Sequence, residues 1–277
     1  MAFSLVFAMA ACGSTPKPEE PTVPEVVDQP ETPAPDPVEL QIFAANSLEK
    51  GLPEVQELYT AQHPEVTFIE TQFKGSGDLV EEMKAGGSAD IFISASKSTM
   101  DTAVENGNID EATRVDLFAN DLVIVKAVGA DITINSLEDV KNFDRIAIGE
   151  AGAVPAGAYA NQSLFSIGLY TSDTGKDGEY DAAIASKVVQ ADKVGTAANW
   201  VATGDCQIGF VYSSDIYRYD GVEVAFVIPA DSHKDIVYPG AVTADTKNAE
   251  VAADFLKFCQ TDPDAQKIWS QYGFEVL

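Results

Sequence analysis

Cysteine and histidine are almost missing from this 277-residue chain, which holds three of the first and two of the second. Cys12, Cys206 and Cys259 are too few for a disulfide framework, and no Cys or His cluster has zinc-ligand spacing, so neither a bound metal cation nor a cofactor is expected. Basic residues are scarce too: 17 Lys and Arg face 44 Asp and Glu, a formal net charge of −27. Long-range repulsion of that size argues against nucleic acid or an anionic lipid surface as partner. The one strongly apolar run, Met1 to Ala11, is too short to span a bilayer. A secreted serine hydrolase is the enzymatic alternative, with Ser47 or Ser76 as nucleophile, but only His63 and His233 could act as base. Neither has a recognisable catalytic setting and no Gly-x-Ser-x-Gly elbow is present, so no enzyme is expected.

What is present begins with that apolar run. It ends in small residues before Cys12, as the hydrophobic region and cleavage site of an export signal do, which places the protein outside the cytoplasm. Met9-Ala10-Ala11-Cys12-Gly13 resembles a bacterial lipobox, which implies cleavage before Cys12 and lipid attachment to its sulfur. Eight of the fourteen prolines then fall between Pro16 and Pro37, interleaved with Glu19, Glu20, Glu25, Asp28, Glu31 and Asp36. Such a segment has little to bury and favours extended conformations of about 3.1 Å per residue, so residues 12–39 read as a stalk between anchor and body. Cys206 and Cys259 read as two buried small side chains in preference to a bridge.

The remaining chain is long enough for two modest lobes. Val38 to Ala44 reads as a strand, Leu48, Leu52, Val55 and Leu58 recur at helical spacing, and Val66 to Phe73 reads as a second strand. A helix over Asp78 to Ala85, the strand Asp90 to Ser94 and a helix from Ser98 closed by Gly107 continue the alternation. A second series runs from Leu122–Val125 through Arg145–Ile148, a helix from Ala156, Lys187–Val189, a helix from Thr196, and Ile208–Tyr212. The strand Val222 to Ile228, Ile236–Pro239 and helices near Ala249–Cys259 and Pro263–Tyr272 complete it, so the fold class is α/β.

Five turns in this series carry uncharged residues where a strand gives way to a helix or loop: Ser47, Ser76, Ala156, Val194 and Tyr212. Neutral donors at such points suit an anion, because helix N-termini present free N–H groups and partial positive charge. Four have a plainer reading: Ser47 as a helix cap, Gly75-Ser76-Gly77 as a common turn, Val194 and Tyr212 as core. Taken in order, with the ending Tyr272-Gly273-Phe274-Glu275, the turns resemble the molybdate-binding proteins of ABC importers over about Leu40 to Phe274.

The resemblance implies a two-lobed periplasmic binding-protein fold of type II, each lobe a mixed sheet flanked by helices, with the ligand in the interlobe cleft. Residues 40–120 and 235–277 would form one lobe and 121–234 the other, hinged near Asn120 and Ser232, and His233 would orient the hinge return. Ser47 and Ser76 would offer hydroxyls, Ala156 and Val194 backbone amides, and Tyr212 its phenol. Molybdate, and tungstate with it, would be held as an oxyanion without direct metal ligands. The partners implied are the permease subunits of an importer, with a monomeric protein touching the membrane only through its lipid. Lys74 is placed outside the first ring of contacts. Sulfate is the alternative ligand. Phosphate would need an acceptor carboxylate, for which Asp78 is the nearest candidate, and a lipid-anchored adhesin leaves the five turns without a purpose.

Overall fold

The computed structural model describes residues 36–277; the apolar leader, Cys12 and the proline-rich segment through Pro35 lie outside the described residues. Val38 to Ala45 forms two strands, β1 (Val38–Leu40) and β2 (Ile42–Ala45), because the intervening Gln41 N–H turns to Asp90 Oδ2 at 2.7 Å. Val38 and Glu39, counted above with the stalk, therefore belong to the body. α1 (Gly51–Gln62) buries Leu52, Val55 and Tyr59 along one face. The stretch read as a single strand over Val66 to Phe73 is also two, β3 (Val66–Phe68) and β4 (Gln72–Lys74), which pair with different partners, β1 and β2.

α2 (Ser76–Lys84), β5 (Ile91–Ile93) and α3 (Lys97–Glu105) follow, the last capped by the Ser96 hydroxyl. β6 (Val115–Asn120) has no counterpart in the sequence reading, because Asp116 and Asn120 interrupt its apolar pattern. β7 (Leu122–Ala127), β8 (Ile146–Gly149), α4 (Pro155–Ser166), β9 (Val188–Ala191), α5 (Val194–Ala202), β10 (Ile208–Tyr212) and β11 (Val222–Val227) come next. The chain ends with β12 (Ile236–Val242), α6 (Ala249–Thr261), α7 (Pro263–Gln271) and β13 (Glu275–Val276).

Two mixed sheets organise these elements. The six-stranded sheet has the order β13-β6-β12-β5-β2-β4, and the five-stranded sheet β11-β7-β10-β8-β9. In the first, β2 runs parallel to β4 and β5 while β12 runs antiparallel to β5 and β6. In the second, β8 runs parallel to β9 and β10 while β7 is antiparallel to β10 and β11. The two-lobed α/β class is thus the one observed. The chain passes between the sheets from β6 into β7 and returns between β11 and β12.

Aromatic residues fill the lobe of the larger sheet. Trp269 is fully buried, its ring 4.3 Å from that of Phe118, and Tyr59 packs edge-on against Phe255 and Phe258. Cys206, just ahead of β10, and Cys259, in α6, are both free and buried. Among the described residues no helix is long and apolar enough to cross a membrane, and no group of His, Cys, Asp and Glu could hold a metal ion.

Candidate functional site

Each of the five turns follows the carboxyl end of a strand, where open α/β sheets place their ligands. Ser47 follows β2, Ser76 follows β4, Ala156 lies beyond β8, Val194 beyond β9, and Tyr212 ends β10. The fold brings all five together around one small cavity between the lobes. Their fractional exposure runs from 1 % to 4 %, so an ion there would be out of bulk water.

Three helices point their N-termini at this cavity. Ser76 is the first residue of α2, Ala156 the second of α4 after Pro155, and Val194 the first of α5. Amides in a first turn have no intrahelical acceptor. Among the described residues no other acceptor takes the N–H of Ser47, Ser76, Ala156 or Val194. Ser47 corrects its sequence reading: it sits inside a 3-10 turn, Asn46–Leu48, while α1 starts only at Gly51 with Lys50 as its cap. Capping therefore does not explain Ser47.

The serine hydroxyls are oriented by what their oxygens accept. Ser76 Oγ accepts the Ala95 N–H at 3.0 Å, which leaves its own proton free. Ser47 Oγ lies 2.9 Å from Tyr238 Oη, and Asn120 Nδ2 donates to that phenol at 3.4 Å. Either hydroxyl of the Ser47–Tyr238 pair can be the donor, and when Tyr238 donates the Ser47 proton is left for the cavity. Sequence reasoning did not find Tyr238, which looks in the sequence like any aromatic residue of a buried strand. Among the described residues Tyr212 Oη is buried without a hydrogen-bond partner by geometry, and its ring meets that of its neighbour Tyr238 edge-on at 5.7 Å. Burial first, then the neighbouring Tyr238 and Tyr159, hold the Tyr212 phenol well above the usual range, so it stays protonated and able to donate.

Among the described residues no carboxylate lines the cavity. Lys74 does line it, but its Nζ pairs with Glu82 on its own lobe. A larger open groove takes in Lys176, Asp177, His233 and Asp235 and shares none of the five residues. His233 there puts Nδ1 2.8 Å from the Lys234 carbonyl and lies edge-on to Tyr159, while His63 stacks on Tyr59. Neither histidine is bonded to Ser47 or Ser76, so the arrangement has no nucleophile and base.

The glycines of Gly75-Ser76-Gly77 have a different reason from the one their spacing suggests. They admit the backbone of the opposite lobe. A Cβ at Gly77 would lie 2.5 Å from the Gly152 carbonyl oxygen, and one at Gly75 2.7 Å from that of Ala153. The Gly77 N–H donates to Ala153 O at 3.0 Å, a backbone hydrogen bond between lobes.

With this geometry in view, comparison with known proteins is informative. The sequence pattern of the bacterial extracellular solute-binding protein family matches residues 40–275. The molybdate-binding protein of Escherichia coli is 34 % identical over 245 residues, covering 86 % of this chain and 89 % of its own. A Bacillus subtilis chain assigned as an ABC transporter substrate-binding lipoprotein is 32 % identical over 237 residues, 86 % of each chain. The periplasmic molybdate-binding protein of Azotobacter vinelandii superimposes with a TM-score of 0.71 over 86 % of this chain and 99 % of its own, at 20 % identity, a likeness of fold.

Proposed function

The chain belongs to the bacterial extracellular solute-binding proteins of ABC transporters, which bind and do not catalyse, and on that premise we propose that it captures molybdate and delivers it to an importer. The observation that carries this reading is the convergence of five neutral donor turns, from both lobes, on one buried cavity free of carboxylates. A fully ionised tetrahedral dianion offers only acceptors, so it matches a lining in which Ser76 Oγ already accepts from the Ala95 N–H with its own proton free and the first-turn amides of three helices face the cavity. Hydrogen bonds to a charged acceptor contribute about 1.5–3 kcal/mol each, so several of them offset the ion's desolvation without a lysine in contact. Net acidity does not forbid this, because salt screens distant charges over about 8 Å while the local dipoles act at contact.

In this reading Ser47 and Ser76 donate hydroxyl and amide protons, Ala156 and Val194 donate amides, and Tyr212 donates its phenol. Tungstate, of the same shape and charge, is held equally, and no cofactor takes part. The protein acts as a monomer tethered by lipid at Cys12, and the permease subunits meet its ligand-closed form. Closure is a ligand-driven shift between arrangements of the two lobes.

Isothermal calorimetry at equal ionic strength with molybdate, tungstate, sulfate and phosphate tests the assignment. Submicromolar binding of the first two, with phosphate failing for want of an acceptor for its proton, is the expected result. Absence of molybdate heat, or tighter sulfate binding, refutes it.

Asp78 sets a secondary control. Its pKa is raised by partial burial and by Glu150 and Asp192, which follow β8 and β9 on the other lobe. Because the folded-state pKa is raised, the penalty acts above it and is relieved as pH falls through it. Asp78→Asn removes the interlobe repulsion at neutral pH. Since Asp78 is exposed, the expected gain in molybdate affinity is only about two- to threefold, present at low salt and lost at high salt. Titrations at two salt concentrations check it.

A further inference from the structure

A buried ionic chain behind the cavity ties three of the five turns together across the lobes. Arg218 Nη1 bonds Asp215 Oδ1 at 2.6 Å, and both side chains are at most 1 % exposed. The other oxygen of Asp215 accepts the Tyr212 N–H at 3.0 Å, so Arg218 is fixed to the Tyr212 turn. Arg218 Nη2 donates to Tyr219 Oη at 2.9 Å and reaches Glu49 Oε2, on the other lobe, at 3.0 Å. Glu49 closes the turn of Ser47: its N–H donates to Asn46 O, and its carboxylate accepts from Asn46 Nδ2 at 3.0 Å. Asn46 Oδ1 then accepts the N–H of Gly195, next to Val194, at 3.3 Å. A Cβ at Gly195 would lie 2.0 Å from Tyr219 Oη and 2.9 Å from Asn46 Oδ1, so any larger residue there must displace these two side chains.

We propose that Glu49 and Arg218 form an interlobe latch that sets how long the cleft stays shut on its anion, without touching the ion. The proposal rests on reading the cleft as an anion trap. Its physical basis is the asymmetry of the pair. Arg218 keeps Asp215 as a permanent partner on its own lobe, so opening the cleft strands no buried charge. The Glu49 side chain is 47 % exposed even in contact, so it passes to water at little cost when the lobes part. A pair buried on both sides would resist opening, and one exposed on both sides would contribute almost nothing. This one is suited to repeated release.

The test is stopped-flow molybdate binding to the wild type, Glu49→Gln, Arg218→Lys and the double variant. Lysine keeps the charge beside Asp215 but lacks the planar fork that reaches both carboxylates. Each single variant is expected to release molybdate about three- to fivefold faster with association changed by less than roughly twofold. The double variant should be no faster than either single one, because the two act as one contact. The melting temperature of ligand-free Glu49→Gln should match the wild type, which a merely structural role would not give. Spin labels at Glu81→Cys and Glu138→Cys, one on each lobe, give a second readout in ligand-free protein, where Glu49→Gln should widen the interlobe distances. Should the wild type take up no molybdate, the functional reading fails and the label distances alone decide the latch. Release rates and distances both unchanged in Glu49→Gln overturn it; in a wild type that binds no molybdate, unchanged distances do so.

Discussion

Gly77→Ala is expected to weaken molybdate binding at least thirtyfold, about 2 kcal/mol, while the ligand-free protein stays as stable as the wild type or gains slightly. The substitution removes no proposed ligand contact. Gly77 is the second residue of α2 and is not among the glycines with positive φ, so its backbone accommodates alanine. The obstacle arises only when the lobes meet, since the new methyl would lie 2.5 Å from Gly152 O and 2.8 Å from Ala153 Cα. Backbone atoms on the opposing turn cannot swing aside as a side chain could, so the lobes must stop short and the hydrogen bond from Gly77 N to Ala153 O is lost. Ser76 keeps its donors, but the amides of Ala156 and Val194 no longer reach the same ion. Calorimetry with molybdate and thermal melting of the empty protein separate the two effects. Near-normal affinity would show that the approach of Gly77 to residues 152–153 is not needed for capture.

That role for Gly77 marks where the sequence becomes silent. Short, fully buried strands such as Ile91–Ile93 and Ile208–Tyr212 are nearly continuous apolar runs, and the α/β alternation built on them is visible directly. The turns of Ser47, Ala156 and Tyr212 were legible for the same reason, because they go with the buried apolar runs of β2, β8 and β10, whereas β4 and β9, ahead of Ser76 and Val194, are only partly buried. What a glycine meets is another matter: Gly75 and Gly77 face Ala153, more than seventy residues away, and nothing local distinguishes a turn shaped for a ligand from one shaped for another backbone. The Ser47 turn was misplaced because Leu48 and Leu52 fit a helical spacing that the chain interrupts with a separate 3-10 turn. Strand β6 was missed because Asp116 and Asn120 mask a segment whose partners, β12 and β13, come from the far end of the chain. Tyr238 and Arg218 were invisible for a chemical reason: a tyrosine in a strand and an arginine in a loop acquire their roles only from Ser47, Asp215 and Glu49.

Replacing Ser47 and Ser76 together by alanine is expected to lower molybdate affinity at least tenfold, about 1.4 kcal/mol. Two charge-assisted hydrogen bonds of about 1.5–3 kcal/mol each would sum to more, but donors sharing one pocket are not additive, so the tenfold figure is a floor. The two serines differ in what else they do. Ser47→Ala leaves Tyr238 Oη with Asn120 as its remaining partner. Ser76→Ala orphans the buried N–H of Ala95, a cost of about 1–3 kcal/mol to the ligand-free fold. Melting of the empty protein should therefore drop more for Ser76→Ala than for Ser47→Ala, by about 2–4 °C for each kcal/mol in a chain of this size. Affinity measured well below that melting temperature isolates the lost donors from the lost stability. If both hydroxyls can go without loss of affinity, the backbone amides at the helix N-termini hold the ion by themselves, and Ser47 and Ser76 leave the site as side-chain donors.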